Sequence, residues 1–211
     1  MKERPILFSA PMVTAILEGR KTQTRRVVKS DLIINQAEFE CGNRPHVIRS
    51  EPSLQYWVEN GCPFGQVGDH LWVRETFMDL SGTGVEHRDS EGKLQKYAYA
   101  TDCPRGSHSD ELRKDFGLKW KPSIHMPRWA SRILLEITGI RVERLQSISD
   151  EDAKAEGFDY STHPSAIEMG YAIGAKTNFR HTWEQIYGAN AWNKNPWVWV
   201  VEFKKLNEVA A

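Results

Sequence analysis

The stretch that most constrains the fold is Trp197-Val-Trp-Val-Val201, with Glu202 and Phe203 following it. It is the longest uninterrupted apolar run in the chain, five residues, where a membrane helix needs roughly 20. A short run of this kind, rich in tryptophan and valine, reads as a strand from Trp197 to Leu206. In a strand, Trp197, Trp199, Val201 and Phe203 share one face, and Val198, Val200 and Glu202 the other. Both faces are largely apolar, so both must be covered. Such a strand belongs inside a small barrel packed by helices.

The rest of the chain reads as short strands and short helices in alternation. Pro5 to Ser9 is a short strand, and Ala10 to Glu18 a helix with Pro11 in its first turn and Gly19 as its stop. Lys21 to Val28 is extended again. Residues 29–66 read as irregular, punctuated by Gly42, Pro45, Pro52, Gly61 and Pro63. Leu71 to Phe77 is a strand, and Arg132 to Leu145 a longer one, bent at Gly139. Between them lies an insertion at about 78–130. Its polar part, 78–118, holds too few apolar residues for a core of its own, carries one strand signal at Lys96 to Thr101, and reads as a loosely packed lid. Trp120 to Trp129 is irregular, with Pro122 and Pro127. Ser149 starts a helix that Asp152 helps to cap and Gly157 closes, and Asn178 to Tyr187 is a further helix. The βαβ period of a doubly wound sheet is missing. The expected fold is a single domain over 1–211, mixed α/β (α+β): a mixed sheet curled into a β-barrel whose N- and C-terminal strands are able to pair.

Basic and acidic residues are equal, 28 of each, which excludes a globally cationic nucleic-acid coat. An apolar fraction of 40% excludes a disordered chain. The N-terminus has no apolar signal core, so a cytoplasmic protein without membrane partners is expected. Cys41, Cys62 and Cys103 have no metal-like spacing, and neither a disulfide framework, a metal nor a cofactor is expected.

The densest polar cluster is Gly19-Arg-Lys-Thr-Gln-Thr-Arg-Arg26. Residues 1–30 carry seven basic side chains against two acidic ones. These cations either cap a solvated helix end or form a site for an anionic ligand such as a nucleotide phosphate. A lysine whose pKa is depressed by partial burial and by neighbours such as Arg20, Arg25 and Arg26 can take a hydroxyl proton. Lys21 and Thr24 would fall on opposite faces of a regular strand, so their cooperation requires a bend between them. Glu156, beside the negative end of a short helix, is placed where ionisation is disfavoured, and a neutral carboxyl can donate a proton to a leaving amine.

Four segments in order carry a resemblance. They are Gly19 to Arg26, Gly68-Asp69 with Leu71-Trp-Val-Arg-Glu75, Ala153 with Glu156-Gly-Phe158, and Trp199-Val-Val-Glu-Phe203. Together the chain resembles an ASCH-domain protein of the PUA-like superfamily, from Ile6 to about Leu206. The Pro122…His125-Met-Pro-Arg128 stretch is similar to that of forms encoded by phages and prophages. The resemblance implies a PUA-like barrel associated with RNA. It extends to the small N(4)-acetylcytidine amidohydrolases, whose catalytic residues fall on Lys21, Thr24 and Glu156. It implies Lys21 as proton acceptor, Thr24 as nucleophile on an acyl carbonyl and Glu156 as proton donor. Outside these motifs the chains differ greatly.

Arg20, Arg26, Arg74, Glu75, Trp120 and Trp129 are the candidate substrate-binding residues. Arg74-Glu75 is either a strand-end ion pair or a pocket wall. Trp120 and Trp129 flank an irregular stretch and are the tryptophans best placed to stack a base. The expected activity is a metal-independent hydrolase, an amidohydrolase taking the acyl group from an N-acylated pyrimidine nucleoside. The alternative is a non-catalytic module that binds RNA or a modified base.

Overall fold

The computed structural model describes residues 1–43, 53–88, 92, 94–103, 105–158 and 174–206. Five strands form the central mixed sheet: β1 (Glu3–Leu7), β2 (Gln23–Val27), β3 (His70–Arg74), β8 (Leu134–Arg144) and β9 (Trp197–Lys205). Their order is β1-β3-β8-β9-β2, with β1 parallel to β3 and every other pair antiparallel. The sheet carries α1 (Ala10–Leu17), α2 (Asp31–Glu40), α3 (Leu54–Asn60), α5 (Asp150–Ala155) and α6 (Ala175–Tyr187). Among the described residues no helix is long and apolar enough to cross a membrane.

β9 is buried on both faces, as its alternation demands. Trp197, Trp199, Val201 and Phe203 join a core with Ile6, Leu71 and Leu135. Val198 and Val200 join a second core with Ala153, Phe179 and Trp183 on α5 and α6. Burial of each such aliphatic side chain contributes about 1.5–3 kcal/mol. β8 is bent where Gly139 was expected to bend it, with a register shift between Ile137 and Gly139.

The sheet is curled but not closed. The N-terminal strand pairs with β3, not with β9, and β1 and β2 remain edges. α1 connects them, burying Val13, Ala15 and Ile16. The edges nevertheless come within side-chain reach, since Arg26 Nη2 on β2 donates to Leu7 O on β1 at 2.7 Å. The closed barrel expected from the sequence is therefore an open sheet among the described residues, with a helix where the closing strand contacts would be.

Two other expectations need correcting. Residues 29–66 contain α2 and α3, because Ile33 and Ala37 give α2 a buried face and Ser53 caps α3 by accepting from Tyr56 N. Pro45 and Pro52 lie outside the described residues. The insertion is also more ordered than its composition suggests. It contains β4 (Phe77–Asp79), β5 (His87–Arg88), β6 (Leu94–Gln95), β7 (Tyr97–Tyr99) and α4 (His108–Asp115). β4 pairs with β7, and Phe77, Met126 and Ala130 form a satellite core with Tyr97 and Tyr99. Glu75 and Thr76 separate β3 from β4, so Leu71 to Phe77 is not one strand.

Candidate active site

Lys21 is placed by the end of α1. Gly19, at φ 75°, reverses the chain, and Lys21 N then donates to Ala15 O at 2.9 Å. β2 begins only at Gln23, so Lys21 precedes the regular strand and is not held to its alternation. Glu156 is placed by the end of α5. Ser149 caps that helix, accepting from Asp152 N at 3.0 Å, and Glu156 follows its last residue, Ala155, as the C-cap before Gly157 turns the chain at φ 94°. The two ends meet as an isolated bridge between Lys21 and Glu156, with Thr22 N donating to Ala155 O at 2.8 Å. The approach is close. A Cβ on Gly157 would lie 2.8 Å from Ala15 Cβ and 3.3 Å from Lys21 Cβ.

Lys21 Nζ donates to Glu156 Oε2 at 2.7 Å and to Glu156 O at 3.0 Å. Arg25 reaches the same carboxylate from the other side, Nη1 to Oε1 at 3.2 Å. Lys21 Nζ lies 5.6 Å from the centroid of the Phe8 ring, and the Arg25 guanidinium 5.9 Å from that of Phe179. Burial pushes the Lys21 pKa below the usual lysine value, against the pull of Glu156; Arg26 and Arg25 add smaller depressions. The neighbouring cations assist, as expected from sequence, but burial dominates. Glu156 stands at the helix end, where the sequence places it, and two cations, Lys21 and Arg25, face its carboxyl group.

Behind this pair lies a charge network. The Arg25 guanidinium is fully buried and also binds Glu143 Oε1 at 2.6 Å and Asp152 Oδ2 at 3.0 Å. Arg141 bridges Glu143 and Asp152, each at 3.0 Å, and contacts Glu202. Gln23 Nε2 donates to Asp152 Oδ1 at 3.0 Å. Burial pushes the Asp152 pKa up, but Gln23, Arg25 and Arg141 together bring it below the usual range.

An open pocket lies along β2, with Met12 of α1 on one side and α6 on the other. Thr24, Arg26 and Glu156 line it, so Thr24 shares the pocket with the carboxylate that Lys21 holds. Its far wall is the row Phe179, Trp183 and Tyr187, spaced four apart on α6. Trp183 and Tyr187 stack with ring centroids 4.3 Å apart. Trp183 Nε1 is buried and has no acceptor among the described residues. The sequence reading recognised this helix but not its aromatic row. The signal was the four-residue spacing of the three rings.

The other candidates lie elsewhere. Arg20 pairs with Glu18 and donates to Gly157 O at 2.9 Å, bracing the turn behind the pocket. Arg74 donates to Ile124 O and lies 5.4 Å from the Trp72 ring. Glu75 is buried with Arg132, 3.0 Å from its Nε, and accepts from Thr101 Oγ1 at 2.9 Å. Trp120 packs near Arg113, and Trp129 is 76% exposed. None of these six lines the pocket except Arg26. Among the described residues no group of three or more His, Cys, Asp or Glu is arranged to hold a metal.

Among solved structures the chain matches the crystal structure of an ASCH domain from Lactobacillus crispatus JV V101, at 12% identity, covering 97% of this chain and 79% of that one, with a TM-score of 0.36. No protein-family model matches the chain, and no curated protein matches it in sequence.

Proposed function

We propose that the chain, over 1–211, is an ASCH-domain protein of the type encoded by phages and prophages, working in the cytoplasm as an amidohydrolase. Its substrate is an N-acylated pyrimidine nucleoside resembling N(4)-acetylcytidine, and Lys21, Thr24 and Glu156 carry the reaction without a metal. The observation that carries the proposal is the fully buried Lys21 Nζ, 2.7 Å from a carboxylate that lines the same pocket as Thr24.

Moving one proton along that hydrogen bond turns an ammonium and a carboxylate into an amine and a carboxylic acid. Burial favours the uncharged pair. Lys21 then takes the proton of Thr24 Oγ1 as the oxygen adds to the acyl carbonyl. Glu156 gives its proton to the departing nitrogen, and the C–N bond breaks. The ion pair is restored and an acyl ester remains on Thr24. Water attacks that ester, giving a proton to Glu156, while Lys21 returns one to Oγ1. The amine and the free acid are released.

A second reading has one observation in its favour: Lys21 has no exposed side-chain surface, and among the described residues both its side-chain hydrogen bonds go to Glu156. On that reading the pair is structural and the pocket binds a modified base or RNA without turnover. Incubating the protein with a panel of N-acylated nucleosides separates the two. The enzyme releases free carboxylic acid and Lys21→Ala abolishes the release with the fold retained by circular dichroism. A folded protein that binds these nucleosides and releases nothing supports the binding module.

A further inference from the structure

The pocket is rich in donors and has little acidic character. Glu156 is its one carboxylate, and Lys21 and Arg25 already hold it. The remaining polar residues that line it are Thr24, Thr182, Trp183, Tyr187 and Arg26. Arg26 contrasts with its neighbour. Arg25 is saturated by three carboxylates, whereas Arg26 makes one hydrogen bond, to a backbone carbonyl, and no ion pair among the described residues. Its ring contact, 5.4 Å to the Phe8 centroid, fixes the guanidinium plane without using its donors. A guanidinium has five N–H donors in a fork suited to phosphate, so most of this fork is unused.

The position of Arg26 sets the size of the ligand. Thr24 and Arg26 are two apart on β2, hence on one face and about 6.6 Å apart along it. A ligand held at Thr24 can therefore also meet the Arg26 guanidinium, whose long side chain extends the reach beyond that spacing. The exposed face of Tyr187 offers a planar surface beside that path.

We infer that the ligand is a nucleotide, not a neutral nucleoside, and that Arg26 binds its phosphate. The base identity rests on the amidohydrolase reading, but the phosphate does not. The phosphate belongs either to a free monophosphate or to a nucleic-acid strand. Arg74 bears on that choice: it stands opposite Leu7 in the parallel register, and Leu7 O is the group Arg26 touches. Among the described residues the Arg74 side chain likewise has only a backbone carbonyl as hydrogen-bond partner. It is the next cation a strand leaving the pocket over β1 would meet.

The test is equilibrium binding of cytidine, cytidine 5′-monophosphate and a cytidine trinucleotide at low salt, to the intact chain and its variants. The monophosphate is expected to bind at least tenfold tighter than cytidine, and Arg26→Gln to remove that advantage, with Arg26→Lys restoring part of it. If the phosphate comes from a strand, the trinucleotide gains further and Arg74→Gln removes that gain. If it comes from a free nucleotide, the trinucleotide gains nothing over the monophosphate. Equal affinity for cytidine and its monophosphate, or an advantage that survives Arg26→Gln, overturns the inference. Acyl release from N(4)-acetylcytidine and its monophosphate separates this result from the reading above. An Arg26-dependent preference without turnover leaves the phosphate site standing and sinks the amidohydrolase. Equal turnover of both, unchanged in Arg26→Gln, does the reverse.

Discussion

Glu75 and Glu156 are both buried, at 1% and 3% exposure, and both accept from an arginine. Glu75 takes Arg132 and the Thr101 hydroxyl, and Arg132 goes on to Asp102, 2.6 Å away, and to the Tyr99 ring, 4.0 Å from its centroid. Glu156 takes Arg25 and, in addition, Lys21. Burial is the largest influence on Arg132 and lowers its pKa. The hydrogen bonds that Arg132 donates to Glu75 and Asp102 outweigh it, and the guanidinium sits above its usual range. It holds its proton at any working pH. Lys21 is pushed the other way by burial and its proton can move. The Glu75 cluster is thus a staple: Thr101, Asp102 and Tyr99 belong to the insertion, and the ion pair fastens them to the sheet. Burial also pushes the Tyr99 hydroxyl up to about 12, so that group too stays protonated. A buried carboxylate has chemistry to offer only where its partner can exchange a proton and a pocket adjoins it.

The sharpest way to break this contrast is to remove each partner in turn. Lys21→Ala should cut acyl release by about 10²–10⁴-fold, the range for losing a general base. Arg132→Met should leave release within about twofold while lowering stability. If both variants lose turnover equally, the distinction between staple and site is wrong. Next in size, Arg25→Met should destabilise by about 3–5 kcal/mol in denaturant unfolding, because it strands buried carboxylates. Arg132→Met should cost less, about 2 kcal/mol, since Thr101 stays as a donor to Glu75 and Arg132 is partly exposed. Acid sharpens the comparison from another side. The Arg113 and Lys114 side chains hold Asp110 of α4 below the usual aspartate value of 3.8, and Asp152 is held below it as well. Their folded values are lowered, so the stability they contribute is complete above about pH 4 and is lost as pH falls through those values. Acid titration by circular dichroism should show a loss that Asp110→Asn reduces; an unchanged profile counts against the anchoring of α4. The smallest effect belongs to Thr24→Ser, which keeps a hydroxyl and should retain measurable release. Complete loss there would point to the Thr24 methyl as a packing element.

Much of the site was legible because its signals are local. Gly19 and Gly157 read as helix stops, Ser149 as a cap, and β9 as a strand with two apolar faces, and each stands where the sequence put it. The role of Arg25 was not legible: its partners Glu143, Asp152 and Glu156 lie 118 to 131 residues away, and only the folded sheet brings them to one guanidinium. α2 was hidden because the breakers nearby outweighed its weak apolar pattern. Trp120 and Trp129 drew the stacking role through their irregular surroundings, but an aromatic row needs a helix to align it, and Phe179, Trp183 and Tyr187 have one.

The close passage of Gly157 over Ala15 has a consequence for how this sequence can vary. No Cβ fits at 157 while a methyl stands at 15, so the two positions are epistatic: each limits what the other accepts. Shortening Ala15 to glycine relieves the contact but leaves the φ of 94° that a side chain at 157 resists. The spacing of Lys21 and Glu156 is therefore inherited through a pair of residues that touch no substrate, and a change at either must be answered at the other before the chemistry can follow.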